Sequence, residues 1–92
     1  MKFDSDSAKL IRECQSAKLY YAEKDDFDKA AAYKEIEDDL KEIGMKIAAL
    51  ETKKAAAIVG DDFKAAKRWN EDVEGLRELA HLKLEEAPDI YR

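Results

Sequence analysis

One cysteine, one proline, one histidine and three glycines are spread over 92 residues, and each scarcity closes off a class of protein. A lone Cys14 forms no internal disulfide, so the fold owes nothing to an oxidising compartment. Its expected role is that of a small buried core residue. With His81 alone, no His-based triad or multi-histidine metal site can be assembled; beside apolar neighbours on a helix it reads as a boundary residue. Gly44, Gly60 and Gly75 are isolated, which leaves no Gly-rich phosphate loop. A β-rich fold needs more Gly and Pro in its turns than this chain carries.

An excess of positive charge is also missing. Lys and Arg number 17 against 22 Asp and Glu, for a net charge of −5. Binding nucleic acid by neutralising phosphates requires clustered Lys and Arg, and no nucleic-acid partner is expected. No stretch approaches the roughly 20 apolar residues that span a bilayer. The start, Met1-Lys2-Phe3-Asp4-Ser5, lacks the apolar run of a signal peptide. The expected setting is cytoplasmic, with no membrane partner.

What the chain does have is charge and apolar residues in near-equal measure, 42% and 46%, the composition of long surface-charged helices. Its length allows one domain with one core. The stretch Lys24-Asp25-Asp26-Phe27-Asp28-Lys29-Ala30-Ala31 returns as Gly60-Asp61-Asp62-Phe63-Lys64-Ala65-Ala66-Lys67, 36 residues later. At that offset Lys18, Leu40 and Glu42 fall on Lys54, Leu76 and Glu78, Tyr33 falls on Trp69, and Ile43 on Leu79. A duplicated helix-turn-helix unit follows.

Helix 1 is expected over about residues 5–24, capped by Asp4 or Ser5 with Phe3 stapled onto Ala8. Leu10, Cys14, Ala17 and Tyr21 form its apolar face. Lys24-Asp25-Asp26 breaks it and caps the next helix. Helix 2, about 26–59, carries Tyr33, Ile36, Leu40, Ile43, Ile47, Leu50, Lys54 and Ala57 at alternating spacings of three and four, a heptad seam without a slip. Gly44 lies inside and is read as tolerated, where another helix or a ring comes close. Val59-Gly60-Asp61-Asp62 supplies a left-handed glycine and then a capping acid. Helix 3, about 62–87, carries Phe63, Ala66, Trp69, Val73, Leu76 and Ala80 and ends at Ala87-Pro88-Asp89. The predicted fold is all-α, an antiparallel three-helix up-down-up bundle or coiled coil with a long central helix.

The pattern Asp-Asp-Phe-x-x-Ala-Ala-x-x-Lys at 25–34, and Asp-Asp-Phe-x-x-Ala-Lys-x-x-Asn at 61–70 with Val73 and Leu76 behind it, resembles the UVR helical-hairpin motif. That motif is named for the C-terminal segment of UvrB and its counterpart in UvrC, and occurs also in Clp-type ATPases and their adaptors. The phrase from Lys53 to Lys67 most resembles hairpins of eukaryotic centrosomal and ciliary-tip proteins. The chain departs from the pattern at Lys34 and Asn70, where UVR units commonly carry Arg. It departs again at Glu37, where the second unit has the expected aliphatic Val73; Ile36 stands one step away. The resemblance implies a protein-binding hairpin without catalytic activity, often paired with another hairpin. A tetratricopeptide array shares the Gly-Asp-aromatic-x-x-Ala turn, but needs a break near Gly44 and a different period.

Asp25, Asp26, Asp61 and Asp62 are spaced unlike a calcium loop, and capping accounts for them. Catalytic, cofactor and metal sites are all expected to be none. Interface hot spots favour aromatics, so Tyr20, Tyr21, Phe27, Tyr33, Phe63 and Trp69 are the candidate protein-binding residues. The competing expectation is structural: Phe27 and Phe63 fold back over the hairpin ends against Ala30 and Ala66, while Tyr33 and Trp69 lie in the core. The expected function is a non-catalytic protein–protein interaction or dimerisation module, with a centrosomal or ciliary scaffold as the setting the resemblance implies. Its rivals are a structural spacer, tetratricopeptide-like peptide-binding helices and a DNA-repair accessory hairpin.

Overall fold

The computed structural model describes residues 5–86. The Phe3 staple, the Asp4 cap and the stop at Ala87-Pro88-Asp89 lie outside those residues. Three helices follow in order, α1 (Ser5–Glu23), α2 (Phe27–Val59) and α3 (Phe63–Glu85), in the up-down-up arrangement that two short turns impose. α2 runs unbroken through Gly44, which is buried. At the repeat offset Gly44 meets Ala80, also buried.

The molecule measures 54 × 22 × 17 Å, a rod set by the 33 residues of α2, which span about 50 Å at 1.5 Å per residue. Both outer helices pack along α2 and touch each other far less. By the same rise α1 reaches about 28 Å from the first turn and α3 about 34 Å from the second, so they overlap only near the middle of α2. Ion pairs mark that junction: Arg77 reaches Asp6 at 3.6 Å and Glu51 at 3.4 Å, and Lys83 reaches Asp39 at 3.7 Å.

This overlap decides where the core is complete. Leu40, Ile47, Val73 and Cys14 are fully buried, because the heptad stripe of α2 is covered there from two sides. Farther along, Leu50, Lys54 and Ala57 are only partly buried, since α3 alone covers them. The apolar pattern therefore continues past the point at which it is fully used.

The two turns are near copies. Asp25 and Asp61 have φ of 60° and 59°. Asp25 N–H donates to Ala22 O at 3.1 Å and Asp26 N–H to Tyr21 O at 2.9 Å; Asp61 donates to Ile58 O at 3.1 Å and Asp62 to Ala57 O at 2.8 Å. This pair of bonds satisfies helix-end carbonyls in a Schellman motif. Asp26 and Asp62 then cap α2 and α3, their side chains accepting from Lys29 N–H and Ala65 N–H. One expectation is corrected: Gly60 has φ −88°, and the left-handed residue is Asp61. Each motif places its left-handed residue directly before the capping acid, whatever the residue before it, and short Asp tolerates that conformation better than most L-residues.

Candidate interaction surface

The six aromatic candidates divide by position in the rod. Tyr21 and Tyr33 are buried, with rings stacked at 5.8 Å between centroids and Lys29 Nζ 5.2 Å from the Tyr21 ring. They seal the end of the first hairpin. Tyr20 is exposed, meets Tyr21 edge-on at 5.1 Å and carries Lys24 over its face. Trp69, the repeat equivalent of Tyr33, is only partly buried. Its equivalent of Tyr21 is Ala57, which offers no ring, and the indole instead meets two cations, Lys53 Nζ at 5.0 Å and Arg68 Cζ at 4.6 Å from its centroid.

Phe27 and Phe63 do not clamp the hairpin ends as expected: they are 64% and 62% exposed. Each opens its helix directly after the capping Asp, and a side chain in the first turn has no preceding turn to lie on. Around Phe63 the exposure continues, with Ile58 half exposed and Val59 86% exposed. The second tip of the rod thus carries three large apolar side chains within six residues. Leu19, Tyr20 and Phe27 flank the first tip.

Behind the first tip lies a feature that sequence reading missed. Glu37 is not stepped aside in favour of Ile36; both are buried, Glu37 to 2% exposure, in the place where the second unit has Val73. Lys18 of α1 donates to Glu37 Oε1 at 2.7 Å and Gln15 to Oε2 at 3.1 Å, while Lys41 Nζ lies 2.9 Å from Oε2. Burial by itself would push the carboxyl up; the two ammonium groups and the amide outweigh it and hold the carboxyl down at about 2. The signal was present in the pairing of Glu37 with Val73 across the repeat, with Lys41 one turn away and Lys18 on the facing helix. The buried thiol of Cys14 shifts the other way, pushed up to about 11 by burial and by the nearby Glu37 and Glu13 carboxylates.

No family model, curated protein or solved structure matches the chain. Its own geometry is what speaks to function. Among the described residues no group of three or more His, Cys, Asp or Glu is placed to hold a metal ion, and no helix is long and apolar enough to cross a membrane. His81 is exposed on the rim of an open groove between α1 and α3, where Asp6, Lys9, Leu10, Glu13 and Leu84 form the rest of the lining.

Proposed function

We propose that this chain is a non-catalytic protein-association module, and that the association the isolated chain supports is with a second copy of itself. The observation that carries this reading is the second tip, where Ile58, Val59 and Phe63 stand in water although covering them would be favourable by about 25 cal/mol per Å². The UVR-like pattern of both turns supports it, since that motif is a protein-binding hairpin. A cytoskeletal scaffold is the setting proposed for it, a reading supported by the likeness of the Lys53–Lys67 stretch to centrosomal and ciliary-tip hairpins.

A spacer is less well supported. To hold flanking segments apart, a rod takes the chain in at one end and releases it at the other. Among the described residues α1 begins about half-way along α2 and α3 ends about a third of the way along it, so the outer helices start and stop along the rod and not at its tips.

Sedimentation velocity from low micromolar to millimolar concentration tests the proposal. Reversible association of a folded chain is expected. A single monomeric species throughout, with the helical circular dichroism intact, would sink it.

A further inference from the structure

We infer that two copies pair through the outer face of the second half of α2, side by side and parallel, from Met45 to Val59. This rests on the association reading above and goes beyond it in naming the face and its polarity. The face of α2 turned away from α1 and α3 is given by the positions opposite its heptad seam. From the first to the second half those positions change character. They begin as Lys34, Glu35, Asp38, Lys41 and Glu42, every one charged, and continue as Met45, Ala48, Ala49, Thr52, Ala55, Ala56 and Val59, none charged. All of the second set are exposed except half-buried Ala48.

A solvated face has no reason to exclude charge over about four turns in a chain that is 42% charged. The repeat supplies the contrast, since the equivalent positions on α1 include Lys9, Arg12, Glu13 and Glu23. Helix propensity would account for the alanines. It does not account for Thr52 and Val59, which are poorer helix formers, or for Met45 at 47% exposure. Thr52 is also fit for burial: its hydroxyl donates to Ala48 O at 3.2 Å, so its polar atom keeps a partner when water leaves. Alanines on successive turns let two helices approach to about 8 Å.

A second copy is the occupant that this face matches. Two arrangements lay the uncharged stretch wholly on itself, parallel in register or antiparallel about Thr52, and the charges on its flanks decide between them. One flank carries Lys34, Lys41 and Glu51, the other Glu35, Glu42, Lys46 and Lys53, so the flanks are opposite in sign at each level along the helix. Parallel pairing turns each flank towards the opposite flank of the other copy: Lys34 and Lys41 face Glu35 and Glu42, and Glu51 faces Lys46 and Lys53. Antiparallel pairing sets Glu51 beside Glu51 and Lys53 beside Lys53. These groups also hold pairs within the chain, among them Lys41 with Glu37 and Lys46 with Glu42, so the flanks set orientation more than affinity. The like-charge contact of the parallel form, Asp38 with Asp38, lies two turns outside the uncharged stretch, and each Asp38 keeps its own Lys34 at 2.8 Å. Parallel pairing brings both second tips to one end, where Val59 is covered by its counterpart beside Ile58 and Phe63. The exposed tip and the uncharged face thereby become one surface, which closes at two copies.

The test measures association by sedimentation velocity, and melting at monomeric dilution by circular dichroism, for the whole chain and for Thr52→Glu, Leu79→Glu and Phe63→Ser. Thr52→Glu sets like charge on like at the centre of the pairing. It is expected to remove the dimer at concentrations where the unmodified chain forms it, with the melting temperature unchanged or higher because Glu is the better helix former. Leu79→Glu, on the outer face of α3, is expected to leave association intact. Polarity is read from the distance between nitroxide labels at Asp28→Cys in a Cys14→Ala background. Parallel pairing places the two labels within about 40 Å; antiparallel pairing about Thr52 separates them by 48 residues of helix, about 70 Å. The longer distance overturns the parallel arrangement. Association that survives Thr52→Glu and is lost in Phe63→Ser or Leu79→Glu overturns the α2 face and leaves the association reading standing. A chain that never associates overturns both.

Discussion

Replacing Glu37 separates two terms that oppose each other in this core. Glu37→Gln keeps the shape and removes the charge, leaving Lys18 and Lys41 without their anion. A carboxyl held at about 2 instead of its ordinary 4.5 prefers the ionised form by about 3 kcal/mol, at about 1.4 kcal/mol per pH unit. The Lys18 and Lys41 side chains are each about a third exposed and recover part of their solvation. The expected loss is therefore about 2 kcal/mol. Glu37→Val, which copies the second repeat's Val73, removes the anion but also the cost of burying it; both lysines can turn to water. It should be neutral or stabilising by about 1 kcal/mol or more. Urea unfolding followed by circular dichroism at neutral pH reads both. The acid side supplies a second check. Because the folded carboxyl lies below its unfolded value, its contribution is complete above about 5, declines from 4.5 downwards and is gone below about 2. The gap between the unmodified chain and Glu37→Gln must close over that window. A Gln variant as stable as the original at pH 7, or a gap that widens on acidification, would refute the account of a carboxylate stabilised by its partners.

Other consequences are simpler. Asp25→Gly and Asp61→Gly relieve a left-handed L-residue, and each should raise stability by up to about 1 kcal/mol in thermal melts; a loss would mean that the Asp side chain contributes a bond in the turn. Leu40→Ala, at the point where all three helices meet, should cost about 2–5 kcal/mol in denaturant unfolding, more than the same change at partly buried Leu50. The thiol of Cys14, buried and raised to about 11, should resist alkylation at pH 8 until the chain unfolds, so that its labelling rate follows the unfolded fraction; fast labelling of the folded chain would contradict its burial.

The helix count, the two turns and the antiparallel order were legible along the chain, because heptad spacing and capping acids act within one or two turns of their own position. Even the unbroken passage through Gly44 followed from the heptad phase on either side. The candidate surface was legible only in part. An aromatic in the first turn of a helix has the same local sequence whether it folds inward or outward, and at Phe27 and Phe63 the short overhang of the tips leaves nothing to fold against. Tyr33 and Trp69 match across the repeat, yet only Tyr33 finds a second ring to stack on.

By itself the sequence determined a three-helix rod with duplicated ends, since periodicity and turn chemistry are local and the chain carries both twice. Tertiary structure alone decided that α1 and α3 share only the middle of α2. That limited overlap completes the core around Leu40 and Ile47, buries Glu37 among its lysines, and leaves the tips and the outer face of α3 in water. Burial depends on what stands opposite, and a linear pattern does not state its neighbour.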